Sequence, residues 1–197
     1  TQSSAASDVY KRQDIICSLN KLNLDDINHV KQDALIVSFL DPFNEVELIS
    51  ELKNRSISSI SMELVPRTTR AQKMDALSSQ ANLAGYSAVI IASNYLEKAL
   101  PMMMTAAGTI SPSKVFVVGV GVAGLQAIAT AKRLGARVEA FDTREEVEDQ
   151  VKSLGARFVK IDLGETEQTS QGYAKALTAD QIKKQQEGMK KVCSSSD

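Results

Sequence analysis

Three glycines and an aspartate stand at spacings that suit the binding of a dinucleotide. Gly119, Gly121 and Gly124 form G-x-G-x-x-G directly after the apolar run at 115–118, where a helical pattern begins. The first glycine allows a tight turn, the second lets a pyrophosphate approach the backbone, and the third lets the helix pack closely on the strand. Asp142 lies 23 positions after Gly119 (142 − 119), near the roughly 20 typical of an acid that binds a ribose 2′-hydroxyl.

The residues beside this motif complete a candidate nucleotide site. Val122 and Ala123 begin the helix, whose N–H groups and positive dipole end suit phosphates. Thr143 and Arg144 directly follow Asp142. A carboxylate at position 142 disfavours a 2′-phosphate and so favours NAD over NADP, although Arg144 weakens that preference. Two other interpretations stay open: a glycine turn without a ligand, and a site for S-adenosylmethionine.

Strands that alternate with helices must position these residues. Apolar strand runs and amphipathic helical patterns follow one another from Asp14 onward, which predicts βαβ units and a parallel sheet. Gly135 and Gly155 are expected to end two helices. Thr178 and Gln181 are expected to cap a last helix, with a fourth strand beginning at Val192. The predicted fold is α/β: a truncated, Rossmann-type, doubly wound parallel sheet plus part of a second, flavodoxin-like α/β domain.

Changes in composition predict the domain organisation. Residues 1–13 are polar and without a periodic pattern, which is typical of a disordered or non-native lead-in. Residues 14–100 are expected to form a partial outer α/β domain with a connecting helix. Two prolines and small residues predict a linker at 101–113, with a loop or a short helix. Residues 114–197 are expected to form an NAD-binding Rossmann domain that is truncated at its C-terminal side.

Charge and cysteine content exclude several classes of function. A net charge of −1 gives no basic surface for nucleic acid. Cys17 and Cys193 are isolated, so neither a zinc site nor a disulfide framework is expected, and no metal is predicted. The longest apolar stretch, at 115–131, contains glycines and is shorter than the roughly 20 residues of a membrane helix. His29, the one histidine, lies in a polar helical stretch and is expected to be solvated rather than catalytic.

Three longer strings carry a resemblance to a known family. "PRTTRAQKMDALSSQANLAGYSAVI", "PMMMTAAGTI" and "VGVGVAGLQAIATAKRLGA" closely resemble the soluble NAD(H)-binding domain, of the alpha-subunit type, of proton-translocating NAD(P) transhydrogenases, a family related to alanine dehydrogenase. The resemblance runs from about residue 14 to the end. It implies a Re/Si-specific enzyme whose domain binds NADH and passes hydride to NADP on a separate domain. A membrane domain of the same enzyme couples this transfer to proton movement.

The resemblance also assigns roles to residues before the glycine motif. It implies that Arg67 and Gln72 hold the nicotinamide and ribose region, that Asp75 and Ser78 support it, and that Arg67, Gln72 and Asp75 serve catalysis. The residues by themselves suit either a cleft or a plain helix cap. Tyr173 and Ala174 fall in a string that resembles the family's mobile loop, which closes over the bound nucleotide.

The family further implies partners and a location. We expect a homodimer and a soluble domain peripheral to a membrane, on the bacterial cytoplasmic or the mitochondrial matrix side. The 197 residues are expected to be inactive alone. Two alternatives stay open: an alanine dehydrogenase-like oxidoreductase, whose proton-handling histidine and substrate lysine cannot be located here, and a non-catalytic nucleotide-binding module.

Overall fold

The computed structural model describes residues 10–164 and 176–197, and the chain forms two compact units that divide between Leu77 and Ser78. Each unit contains a three-stranded parallel sheet. Helices connect the successive strands of each sheet. The predicted α/β class with parallel sheets is therefore confirmed.

The first unit is a β-α-β-α-β segment with the strands in the order of the chain. Its elements are β1 (Ile15–Cys17), α1 (Leu24–Ile27), β2 (Leu35–Ser38), α2 (Val46–Asn54), β3 (Ser58–Ser61) and the 3₁₀ turns Met62–Leu64 and Gln72–Met74. β2 is the central strand, and Ile36 on it is fully buried. Leu48 and Leu52, one helical turn apart on α2, belong to the same apolar core.

The second unit repeats this plan around a second core. Its elements are α3 (Ala76–Tyr95, which begins at the end of the first unit), β4 (Met103–Thr105), β5 (Gly108–Ile110), β6 (Lys114–Val118), α4 (Val122–Arg133), β7 (Arg137–Phe141), the 3₁₀ turn Glu145–Val147, α5 (Glu148–Ser153), β8 (Arg157–Phe158) and α6 (Ala179–Cys193). The parallel strands lie in the order β6-β7-β8. α4 packs on β6 and β7, where Ile128 and Ala140 are fully buried. Within the described ranges, no helix has both the length and the hydropathy needed to cross a bilayer.

Glycines end two helices of the second unit, as predicted. Gly135 follows the C-cap residue of α4 with a φ of 90°, and Gly155 follows that of α5 with a φ of 74°. A left-handed backbone at this position favours glycine, because other residues meet a steric penalty from Cβ.

The prediction of a loop or short helix at 101–113 is wrong. β4 and β5 form an antiparallel hairpin in which Met103 pairs with Ile110 and Thr105 pairs with Gly108. Gly108 has a φ of 132°, which closes the turn between the two strands. The hairpin was missed because each strand has only three residues and β4 begins with two methionines, which are weak strand signals.

The end of the chain agrees with one prediction and contradicts another. Thr178 caps α6, and its reciprocal bonds with Gln181 form the predicted capping box. The strand expected at Val192 is wrong, because α6 continues to Cys193. Lys190 and Lys191 lie in its last turn, where positive charge stabilises a helix. Beyond α6, the N–H of Asp197 donates to the carbonyl of Lys114 on β6 over 3.0 Å.

Candidate functional site

The turn between β6 and α4 requires glycine at two of the three motif positions. Gly119 has a φ of 91°, and its N–H donates to the carbonyl of Phe141 on the neighbouring strand over 2.8 Å. A Cβ at Gly124 would lie 1.8 Å from the carbonyl oxygen of Gly119, far inside van der Waals contact. These two glycines therefore let the chain turn sharply and bring α4 close to the end of β6.

Gly121 differs, because the packing of the protein itself does not require it. Its φ is −90°, and a Cβ built there meets no heavy atom within 4 Å. The space beside Gly121 is thus open, and a side chain would fill it. Such an open cradle at the middle glycine is what the approach of a pyrophosphate to the backbone needs.

The same turn places a helix N-terminus beside the open space. The first intrahelical hydrogen bond of α4 is donated by Leu125 to the carbonyl of Gly121 over 2.9 Å. The N–H groups of Val122 and Ala123 precede that bond, at the positive end of the helix dipole. An anion held here would neutralise the dipole and accept hydrogen bonds from these groups.

Asp142 lies at the end of β7, next to the turn, and is tightly held. The residue is 9% exposed. Its Oδ2 accepts the N–H of Val120 over 2.7 Å and the Nη2 of Arg144 over 2.9 Å. Its Oδ1 accepts the N–H and the Nε of Arg144, each over 2.9 Å. The guanidinium also donates to the carbonyl of Val120 over 3.2 Å, so both residues are tied to the glycine turn.

These contacts keep the carboxyl group of Asp142 ionised. Burial alone would raise its pKa, but the hydrogen bonds from the side chain of Arg144 and from the N–H groups of Val120 and Arg144, together with the charge of Arg144, lower the pKa below its ordinary value of 3.8. A buried carboxylate at the end of this strand can accept hydrogen bonds from a ribose, as the motif predicts.

The candidate residues of the first unit form a smaller group. Nε of Arg67 lies 3.8 Å from Oδ2 of Asp75, whose side chain is 13% exposed. Gln72 begins the 3₁₀ turn that ends one residue before Asp75, and it is exposed. Ser78 lies in the first turn of α3 and is half-buried.

The structure brings one of the two predicted groups together around the glycine turn. That group consists of Gly119, Gly121, Val122, Ala123, Gly124, Asp142, Thr143 and Arg144. Arg67 and Asp75 are close to one another in the first unit. Tyr173 and Ala174 lie outside the described residues. Among the described residues, no group of histidine, cysteine, aspartate and glutamate could hold a metal ion.

Two residues of this site were not predicted. Val120, the residue between the first two glycines, contacts both Asp142 and Arg144 through its backbone. Its position inside the motif was the available signal. Gly85 on α3 lies so close to the start of α4 that a Cβ there would be 2.1 Å from the carbonyl oxygen of Ala123. A single glycine inside a helical pattern was the only sign of this helix crossing.

A parallel α/β unit with an open glycine turn and an adjoining buried aspartate defines the class of nucleotide-binding Rossmann-type proteins. The sequence pattern described as "Alanine dehydrogenase/PNT, N-terminal domain" matches residues 2–84, and the one described as "Alanine dehydrogenase/PNT, C-terminal domain" matches residues 88–197. The chain therefore belongs to the alanine dehydrogenase/PNT family.

Individual proteins of this family resemble the chain closely. One is the first of the separate chains that make up the alpha subunit of NAD(P) transhydrogenase in Rickettsia prowazekii. The two are 46% identical over 194 residues, which cover 96% of the chain and 51% of the relative. The crystal structure of transhydrogenase from Sinorhizobium meliloti shares 50% identity and a TM-score of 0.75, over 80% of the chain and 47% of that structure.

A more distant structure shares the fold. An L-alanine dehydrogenase has a TM-score of 0.66 at 21% identity, over 80% of the chain and 44% of that structure. The chain spans about half the length of the curated relatives it matches, as the 51% coverage shows. The resemblance to transhydrogenases noted in the sequence is thus confirmed.

Proposed function

We propose that this chain is the NAD(H)-binding part of a proton-translocating NAD(P) transhydrogenase. The observation that carries the proposal is the open space at Gly121, next to a helix N-terminus and the buried carboxylate of Asp142. The 46% identity to a transhydrogenase subunit supports the choice of this activity among the nucleotide-dependent reactions that the fold allows.

The residues around the glycine turn fit the adenine dinucleotide portion of NAD. The N–H groups of Val122 and Ala123 would bind the pyrophosphate beside Gly121. Asp142 would accept hydrogen bonds from the adenosine ribose, and the following residues Thr143 and Arg144 would line the same subsite. Tyr173 and Ala174 would belong to a loop that closes over the nucleotide.

The segment before α3 would serve the reacting end of the cofactor. Bound NADH supplies a hydride, and its transfer to a second nicotinamide needs no acid, base or metal from the protein. The protein must instead orient the ring and exclude water. We assign that work to Arg67 and Gln72, with Asp75 and Ser78 in support. The 3.8 Å approach of Asp75 to Arg67 would restrain the guanidinium.

The acceptor and the proton pathway would lie on other parts of the enzyme. We propose that the hydride passes to NADP on a separate domain, with Re/Si stereochemistry, and that a membrane domain couples this transfer to proton movement. The chain would then be a soluble domain peripheral to that membrane, on the bacterial cytoplasmic or the mitochondrial matrix side. Alone, the chain would bind NADH without transferring hydride.

A homodimer would cover an apolar face of α3. Leu83, Tyr86 and Ile90 recur at helical spacing and are 57%, 50% and 38% exposed. Tyr86→Glu would place a charge in that interface. We expect sedimentation velocity to show a dimer for the parent chain and a monomer for this variant. Phe43→Glu, at an 80% exposed position of the first unit, is the control and should leave the dimer intact.

Nucleotide titration tests the binding proposal. NADH and NADPH are each titrated into the chain while nucleotide fluorescence is followed, with Asp142→Ala in parallel. We expect the parent to prefer NADH and the variant to bind it about 10 to 100 times more weakly, because two ribose hydroxyls lose their acceptor. Asp162→Ala is the control, since Asp162 is exposed and accepts a hydrogen bond from the N–H of Gly164. Equal binding of NADH by the parent and by Asp142→Ala would refute the ribose assignment.

Addition of the NADP-binding domain of a transhydrogenase tests the reaction. We expect hydride transfer between NADH and an NADP analogue only when both parts are present, and a large loss of rate with Gln72→Ala. NADH binding without any transfer in the mixture would instead favour a non-catalytic nucleotide-binding module.

A further inference from the structure

The carboxylate of Asp142 has no acceptor position left for a ligand in this structure. A carboxylate offers about four lone-pair sites. Asp142 uses them for four hydrogen bonds, from the N–H of Val120 and from the N–H, Nε and Nη2 of Arg144. A ribose hydroxyl can therefore donate to this carboxylate only when one of these donors leaves.

The donors differ in how readily they can leave. The N–H of Val120 belongs to the glycine turn and that of Arg144 to the backbone after β7, so both are fixed by the fold. The other two bonds come from the guanidinium, which rotates about the side-chain bonds of Arg144. The guanidinium is consequently the group that a nucleotide would displace.

Arg144 also changes the charge that a nucleotide meets. The salt bridge between Arg144 and Asp142 is 2.9 Å long, and the two side chains are 19% and 7% exposed. Paired in this way, the two groups present almost no net charge, whereas Asp142 alone would present one negative charge. A 2′-phosphate would be repelled by the unpaired carboxylate, and a released guanidinium would attract it.

We propose that Arg144 is a displaceable occupant of the ribose subsite that narrows the preference of this site for NADH over NADPH. It competes with the ribose hydroxyls of NADH for Asp142, and it offsets the repulsion that Asp142 exerts on the 2′-phosphate of NADPH. This inference rests on the proposed function, because it concerns the same nucleotide site.

A purely structural role of Arg144 makes a different prediction. Its bond of 3.2 Å to the carbonyl of Val120 helps to hold the turn. Were this its whole contribution, removal of the guanidinium would weaken both nucleotides by the same factor. The ratio of the two dissociation constants is therefore the informative quantity.

The test compares Arg144→Met with the parent chain by titration with NADH and with NADPH. We expect NADH to bind about threefold more tightly, because no guanidinium has to leave, and NADPH to bind about tenfold more weakly. The ratio of the dissociation constants would then change about thirtyfold. Arg137→Met removes the same charge at the opposite end of β7, where Arg137 is exposed, and should leave the ratio unchanged.

Arg144→Lys covers the case in which Arg144→Met does not fold. Lysine keeps the positive charge but lacks the paired N–H groups of the guanidinium. We expect NADH binding to become about twofold tighter and NADPH binding to stay within about twofold of the parent. An unchanged ratio in Arg144→Met, or in Arg144→Lys an NADH affinity that falls together with that for NADPH, would overturn the inference.

Asp142→Ala separates this inference from the proposed function. If Asp142→Ala weakens NADH while the ratio in Arg144→Met stays at the parent value, the ribose site stands and only the role of Arg144 fails. If the parent does not bind NADH, or if Asp142→Ala binds it as the parent does, the proposed function and this inference both fail.

Discussion

The first and the second unit each place three parallel strands in the order of the chain, yet the turns after their strands differ. In the first unit, side chains cover the backbone groups at the strand ends. Oδ1 of Asn23 accepts the N–H of Asp26 at the start of α1. The carboxylate of Glu63 accepts the N–H groups of Leu40 and Asp41 after β2.

The second unit leaves the corresponding groups of α4 open. Gly121 caps this helix without a side chain, and the space at its Cβ position is empty to 4 Å. Asp142 accepts the N–H of Val120 in the turn, much as Glu63 does after β2. The comparison shows that strand order gives both units the same frame, and that glycine in one turn makes that frame suitable for a phosphate.

Gly124→Ala should have the largest effect, because it removes the close approach that distinguishes the second unit. The added Cβ would meet the carbonyl of Gly119, and neither backbone segment can move without disturbing β6 or α4. We expect the free energy of unfolding to fall by about 3 kcal/mol in urea titrations. An unchanged midpoint would show that this turn is as tolerant as those of the first unit.

Asp142→Asn should have an intermediate effect that depends on pH. The substitution breaks a buried ion pair, and we expect a loss of about 2 kcal/mol at pH 7. The pKa of Asp142 is lowered in the folded protein, so its ionisation stabilises the fold above the ordinary value of 3.8, and this contribution is lost as the pH falls through the lowered pKa. The difference between parent and variant in urea unfolding should therefore shrink below pH 3.8. A difference that stays constant down to about pH 3 would mean that the pKa of Asp142 is not lowered.

Glu63→Gln tests the matching contact of the first unit and should have the smallest effect. The amide would keep one acceptor but would set its NH₂ group against a backbone N–H, for a loss of about 1 kcal/mol. NADH binding should not change, because Glu63 is no part of the glycine turn. Glu47→Gln, at an exposed position of α2, is the control and should alter stability by less than about 0.5 kcal/mol. Weaker NADH binding by Glu63→Gln would contradict the contrast drawn between the two units.

The features predicted correctly from the sequence are those with local causes. The helix stops at Gly135 and Gly155 and the capping box of Thr178 and Gln181 each depend on residues within one turn of a helix. The alternation of apolar strands with amphipathic helices predicted the parallel α/β class, because each pattern reflects burial on a regular element.

The features that were missed depend on tertiary contacts. The pairing of Met103 with Ile110 joins two strands of three residues each, which are too short for a periodic signal. The four hydrogen bonds of Asp142 require the rotamer of Arg144 and the position of Val120. Spacing predicted that Asp142 adjoins the turn, but it could not predict that Arg144 already occupies the carboxylate.

NADH titration of Gly121→Ala tests the central claim most directly, since this substitution alters the open cradle and little else. A Cβ at this position meets no protein atom within 4 Å, so we expect the free energy of unfolding to stay within about 0.5 kcal/mol of the parent. We predict that NADH affinity nevertheless falls about tenfold or more, because the methyl group fills the space of the pyrophosphate. Parent-like NADH binding by a stably folded Gly121→Ala would contradict the assignment of this turn as the dinucleotide site.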